Sequence, residues 1–175
     1  MKVQFLGPPS QTLAYLIRVE KEVEWTETPG PIDADIAVSH GYRYILPVDV
    51  VETVPVVNLH ISYLPWNRGA HPNYWAIREG TPSGVTIHYM DAGIDTGPII
   101  AQRQVPIRDD DTLRTSYDRL QREVFDLFRH FWPKIRNGDA PSHPQPEGGS
   151  AHTTYELPGG VDWDMPVKHV VEVIA

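Results

Sequence analysis

Residues 56–107 read VVNLHISYLPWNRGAHPNYWAIREGTPSGVTIHYMDAGIDTGPIIAQRQVPI. Three apolar runs rich in β-branched residues, at 54–59, 84–89 and 98–104, alternate with segments dense in Gly, Pro, Asn and Asp. That alternation predicts strands punctuated by loops. Each strand end carries a polar group that an ordinary core would not require: Asn58 and His60 on the first, His88 and Asp91 on the second, Asp95 on the loop before the third. Open α/β sheets place their chemistry where strand ends run into loops. The rest of the chain is expected to support this cluster.

Upstream, residues 2–6 predict a first strand closed by Gly7-Pro8-Pro9, and Ser10 is placed to cap a helix with Leu13, Leu16 and Ile17 on one face. Residues 23–26 predict a second strand, 28–31 a turn, and 34–39 a third strand apolar enough to lie centrally. A loop at 40–47 and a short helix at 48–52 lead into the strand that ends at His60. This order predicts an α/β fold whose first half is a mostly parallel sheet. Downstream, Asp109-Asp110-Asp111-Thr112 opens the strongest helix, capped by Asp111 or Thr112. Leu113, Tyr117, Leu120, Val124, Leu127, Phe128, Phe131 and Ile135 form its apolar stripe. Pro133 is expected to kink it or begin a new turn, and Asn137-Gly138 to end it. Residues 139–150 read as a Pro/Gly-rich extended linker. The extension 151–175 holds a strand signal at 152–156, a Pro-Gly-Gly turn and an apolar run (Val167, Val170, Val171, Val173, Ile174) suited to its own domain or to a partner.

The bulk numbers narrow the function. At 175 residues the chain is expected to form one domain, and 41% apolar with 22% charged residues is a globular composition. A net charge of −8 and a pI near 5.4 argue against a nucleic-acid partner, which calls for a basic surface. No cysteine is present, so a disulfide framework or a thiolate site is excluded. The start, MKVQFLG, leads directly into a strand, and no apolar run approaches 18 residues. A cytoplasmic protein without a membrane partner is expected.

Asn58 and His60 are two apart and share a face of their strand, and Asp95 must reach them from a neighbouring loop. An Asn amide can donate to an oxygen that gains negative charge. A His with a pKa near 6.5 can shuttle a proton or, as an imidazolium, stabilise that oxygen, and a carboxylate beside it can hold the ring or take a proton through water. Together these groups suit acyl transfer to an amine without a covalent enzyme intermediate. Ser62 lacks the surroundings of a nucleophile elbow. Other readings stay open on spacing alone. Asn58 and His60 could simply terminate a strand, and residues 91–97 could be only a tight turn. His60, His71, His88, Asp91 and Asp95 are enough ligands for a metal, although no H-E-x-x-H spacing occurs. Trp66, Tyr74 and Trp75 could be packing aromatics.

The strings NLHISYLPWNRG (58–69), WA (75–76) and GVTIHYMDAGIDTGPII (84–100) closely resemble the formyltransferases that use N10-formyltetrahydrofolate. Several separated motifs occur in the family's order. The resemblance implies a Rossmann-like formyltransferase sheet flanked by helices, with residues 1–138 as the catalytic domain. It implies a catalytic trio of Asn58, His60 and Asp95, with His88 supporting it from behind. It places the folate co-substrate between two loops, one holding Tyr44, Ile45, Leu46 and Pro47, the other Asp91, Gly93 and Ile94. It places the acceptor near Trp66, Arg68, Gly69 and Asn73, with no metal. HPNYW (71–75), TPSGVTIHYMD (81–91), TLRTSYDRLQ (112–121) and DWDMPV (162–167) look most like the sugar-nucleotide N-formyltransferases. That subgroup implies the amine of a dTDP-linked or related amino sugar as acceptor, and a homodimer built partly by the extension, which could form a β-hairpin. Methionyl-tRNA, glycinamide ribonucleotide and hydroxyornithine are the alternative acceptors, and a non-catalytic binding module is the alternative class. Only 57 residues precede Asn58, fewer than is usual in the family, so the N-terminal half of the sheet is expected to be truncated by about one β-α unit.

Overall fold

The computed structural model describes residues 1–172, with side chains to Val170. In chain order the first elements are β1 (Lys2–Leu6), α1 (Gln11–Val19), β2 (Glu22–Thr26), β3 (Ile36–Ser39), α2 (Val48–Thr53) and β4 (Val56–His60). They are followed by β5 (Arg68–Gly69), α3 (Pro72–Glu79), β6 (Gly84–Tyr89) and β7 (Ile99–Gln104). The chain closes with α4 (Leu113–Arg136), β8 (Ala151–His152), a 3-10 turn at Thr154–Glu156 and α5 (Val167–Glu172).

Six strands form the main sheet in the order β2-β1-β3-β4-β6-β7. The β2-β1, β1-β3 and β3-β4 pairs are parallel, and β4-β6 and β6-β7 are antiparallel. The expected mostly parallel α/β architecture is therefore the one observed. β3 and β4 are buried along their whole length, which explains why their sequences run apolar without alternation. Phe5, Val38 and Val57 face α1 and α4 in the larger core, while Leu6, Ala37 and Val56 face Leu46 and Val51 on the other side.

Thr112 caps α4. Its hydroxyl accepts from the Thr115 N–H (3.2 Å), and the Thr115 hydroxyl accepts from the Thr112 N–H (2.9 Å). The helix runs on through exposed Pro133 and ends a turn later at Arg136, so no new helix begins there. Trp132, absent from the stripe read from periodicity, is buried in it, whereas Tyr117 and Phe131 are only half-buried.

Three expectations are corrected. Residues 72–79, within a segment expected to be loop, form a helix, and Pro at its first position and Gly80 just past its end are ordinary boundary signals. The segment 139–150 is not a free linker, because His143, Gln145 and Ser150 tie it to the rest of the domain by hydrogen bonds, as described below. The extension does not fold as a β-hairpin among the described residues. Its strand is two residues long and pairs in parallel with β5, and Val167 and Val170 pack on Tyr74, Ile77 and Leu113 of the same chain. Local alternation cannot distinguish a hairpin from a strand that finds a partner 83 positions upstream. The side chains of Val171, Val173 and Ile174 lie outside what is described. Among the described residues no helix is long and apolar enough to cross a membrane.

Candidate active site

β4 carries Asn58 and His60 to the end of the sheet, and antiparallel pairing with β6 sets His88 directly opposite Asn58. Asp95 reaches them from the loop between β6 and β7. Its backbone is left-handed (φ +51°), a conformation that a non-glycine residue holds only where its surroundings enforce it. Gly97 lets that loop close on the sheet, because a β-carbon there would lie 1.9 Å from the Tyr89 carbonyl oxygen.

The carboxylate is the hub. Asp95 Oδ1 accepts from Asn58 Nδ2 (3.1 Å), and Oδ2 accepts from the Gly69 N–H (2.8 Å). His60 Nε2 lies 3.6 Å from Oδ2, and His88 Nε2 lies 3.5 Å from Oδ1. His88 Nδ1 donates to the Tyr89 carbonyl (2.8 Å), so in the neutral ring Nε2 carries the lone pair and accepts the second Asn58 hydrogen (3.2 Å). Both Asn58 amide hydrogens are thus engaged, and donation to a reacting oxygen requires one of them to be released. His60 Nε2 donates to the Asn67 carbonyl (3.2 Å).

Burial alone would push the Asp95 carboxyl up, but His60, His88 and the Gly69 N–H outweigh it and hold the group well below the usual carboxylate range. Burial pulls His60 below the ordinary histidine value, more than Asp95 and the Asn67 carbonyl raise it. The resting site therefore pairs an ionised Asp95 with a neutral His60, which corrects the simple picture of an imidazolium in the free protein.

His40, the residue after β3, is likewise lowered by burial, and its ring bonds Thr12 Oγ1 (2.9 Å) and Gln121 Oε1 (2.7 Å). Both rings must be neutral in the native state but take up protons once unfolded. Between the unfolded value of 6.5 and their lower native values the unfolded chain binds more protons, so stability falls as pH falls. The urea midpoint is expected to be lower at pH 5.5 than at pH 7.5, with a smaller difference in a His40→Gln variant. A midpoint that does not fall on acidification would contradict the neutral assignment.

The other expected residues separate into two groups. Exposed Tyr44, Ile45 and Ile94 offer apolar surface on the two loops expected to bracket the folate. Leu46 beneath them packs into the core with Val56 and Met90, and Pro47 leads into α2. Asp91 shapes its own loop by accepting from the Gly93 N–H (3.0 Å) and the Thr96 hydroxyl (2.6 Å).

Of the expected acceptor residues, Trp66 is half-buried, and its carbonyl accepts from the Ser62 hydroxyl. Gly69 gives its N–H to Asp95. Arg68 is held by Gln145 Oε1 (3.1 and 2.8 Å). Asn73 does not line the site. It is buried where α3 meets α4, with its amide nitrogen on the Leu113 carbonyl (3.0 Å) and the Ser116 hydroxyl (3.1 Å), so its role is to tie the two helices. Gln145 is the site residue that sequence reasoning missed, since it lies in a Pro/Gly-rich stretch with no periodicity. Among the described residues no group of three or more His, Cys, Asp or Glu is arranged to hold a metal ion.

Known proteins resemble this chain in sequence and in fold. A family model described as formyl transferase matches residues 11–128. The crystal structure of the formyltransferase PseJ from Anoxybacillus kamchatkensis, in complex with UDP-4,6-dideoxy-4-formamido-L-AltNAc and tetrahydrofolate, matches with a TM-score of 0.89. The two chains are 43% identical, and the match covers 98% of each. The methionyl-tRNA formyltransferase of Janthinobacterium sp. (strain Marseille) is 37% identical over 144 residues, 80% of this chain and 46% of that protein. That of Myxococcus xanthus (strain DK1622) is 40% identical over 118 residues, 66% of this chain and 38% of that protein. The chain thus spans less than half the length of the curated relatives it matches.

Proposed function

The chain belongs to the formyl transferase family, and from that premise we propose that it is an N-formyltransferase. In this reading it moves the formyl group of N10-formyltetrahydrofolate to the amine of a nucleotide-linked amino sugar. The observation that carries the chemistry is the convergence of an amide, an imidazole and an ionised carboxylate at one sheet end. The sugar-nucleotide acceptor is supported by the end-to-end likeness to PseJ, which holds a UDP-linked 4-formamido sugar with tetrahydrofolate. That likeness favours a UDP-linked over a dTDP-linked acceptor. A homodimer remains part of the proposal, to be tested by sedimentation.

The folate, held at Tyr44, Ile45, Leu46, Pro47, Asp91, Gly93 and Ile94, supplies a one-carbon unit at the formyl oxidation level. The chain's own groups do the rest. Asn58 donates an N–H to the oxygen on which negative charge develops. His60, neutral at rest, accepts the proton that the acceptor amine sheds as its nitrogen bonds the formyl carbon, and returns it to N10 of the folate as the formyl–N10 bond breaks, so that tetrahydrofolate leaves neutral at that nitrogen. Asp95 stabilises the resulting imidazolium across 3.6 Å.

The test is a panel of UDP- and dTDP-linked amino sugars incubated with N10-formyltetrahydrofolate, scored by the mass gain of one formyl group. Formylation of a UDP-4-amino sugar is expected. Formylation of methionyl-tRNA with every sugar left unmodified would overturn the acceptor assignment. Because the roles fall on an amide, an imidazole and a carboxylate, prior chelation is expected to leave the rate unchanged. Recovery of activity only on adding zinc would sink this mechanism.

A further inference from the structure

We propose that Gln145 is a positioning residue for the formyl-transfer site: its side-chain amide bridges Arg68 to the backbone of Asp95 and Gly97 and thereby sets the Asp95 carboxylate against Asn58 and His60. The proposal rests on the formyl-transfer reading above. Gln145 Nε2 donates to the Asp95 carbonyl (2.7 Å) and the Gly97 carbonyl (2.9 Å), while Oε1 accepts from Arg68 Nε (3.1 Å) and Nη2 (2.8 Å). A primary amide has two donor hydrogens and two acceptor lone pairs, and all four are used here. No side chain other than Asn or Gln has that inventory, and Asn is one methylene shorter.

The surrounding strap is built to present this side chain. Gln145 is half-buried, whereas the residues on either side of it from 141 to 149 are exposed. Pro144 and Pro146 flank it, so residues 143 and 145 both precede a proline and are biased to extended backbone. On one side of Gln145, His143 exchanges two hydrogen bonds with Ile99 (2.8 and 3.0 Å). On the other, the Ser150 carbonyl accepts from the Arg68 N–H (2.9 Å), and the Ser150 hydroxyl accepts from the Asn67 N–H (3.0 Å). Gly149, at φ +91°, passes so close to Pro65 that a β-carbon would lie 2.0 Å from its carbonyl oxygen. The strap thus clasps both loops that frame the carboxylate: 65–69, which carries the Gly69 N–H, and 95–99, which carries Asp95. Gln145 is the cross-brace between them, and it holds the left-handed Asp95 backbone from outside the reacting groups.

The test compares the full-length chain with Gln145→Glu and Gln145→Ala. Glu keeps an acceptor for Arg68 but has no N–H for the two carbonyls, so both variants should lose the brace. We expect kcat for formyl transfer to fall about tenfold to a hundredfold, the scale of an ångström-level misplacement, with KM for both substrates little changed. In the Asp95→Asn background the Gln145→Ala change should add little, because it acts through Asp95. In the free protein the Gly69 amide proton should move upfield as its bond to Asp95 Oδ2 lengthens, a readout independent of turnover. An unchanged kcat in Gln145→Glu, or a Gly69 resonance that stays in place, overturns the proposal. So does a variant whose only change is a lower denaturation midpoint. If the wild-type chain formylates no acceptor, the formyl-transfer reading fails, and the Gly69 resonance still decides whether Gln145 sets the carboxylate.

Discussion

Asn58→Ala, His60→Ala and Asp95→Ala variants are each expected to fold and to retain about a hundredth to a thousandth of the wild-type rate, or about 2.7–4 kcal/mol of lost transition-state stabilisation. The expectation follows from how little redundancy the site has. The Asn58 amide donates to Asp95 Oδ1, and a methyl group in its place removes that bond together with the donor offered to the reacting oxygen. Removing Asp95 costs more than a charge. It frees the Gly69 N–H, releases Asn58, and takes away the group that favours the protonated form of His60. Because the three act as a unit, pairwise combinations should lose little beyond the worst single variant. Steady-state kinetics on variants with native circular dichroism check this. A folded His60→Ala protein that formylates at a near-normal rate would refute the assignment.

The second large effect is on stability. Trp132→Ala is expected to cost about 3–5 kcal/mol, the range for truncating a fully buried aromatic. Trp132 is 1% exposed, its ring lies 5.2 Å from that of Phe128, and its Nε1–H donates to Glu20 Oε1 (2.9 Å). Glu20 closes the C-terminus of α1 and also accepts from Arg136 Nε (2.8 Å) and Nη2 (3.0 Å). Truncation therefore opens a cavity between α1 and α4 and weakens a buried carboxylate's hydrogen bonding at the same point. α1 also carries Thr12, which orients His40 beside the sheet end, so the damage extends toward the site. Urea denaturation reads the loss. Trp132→Phe keeps most of the ring but not the donor, and should fall between wild type and Trp132→Ala. A Trp132→Ala midpoint close to wild type would show that the helix pair does not depend on this contact.

Asn58, His60 and Asp95 were legible because each lies in a short string of distinctive order, and strand periodicity put the first two on one face. The helix boundaries at Ser10 and Thr112 were legible for a similar reason: a cap is decided within four residues, and both side chains accept the bond expected of them. Trp132 was missed because periodicity defines a wide stripe without saying which edge of it meets the sheet. Asn73 was misplaced because its motif sits beside the site in sequence, while α3 turns the side chain toward α4.

By itself the sequence determined the strand and helix order from β1 to β4, the caps of α1 and α4, the acidic balance, and the amide, imidazole and carboxylate on which the proposal rests. Those properties depend on neighbours a few positions apart or on residue identity alone. Only the tertiary structure decided that Asp95 meets Asn58 across 37 positions, that His60 rests neutral beside an ionised carboxylate, and that Gln145 reaches back 50 positions to brace it. The reason is physical. Protonation state follows from burial and from charges brought close by folding, and a fully used amide is defined by partners on other segments, none of which leaves a local trace in the chain.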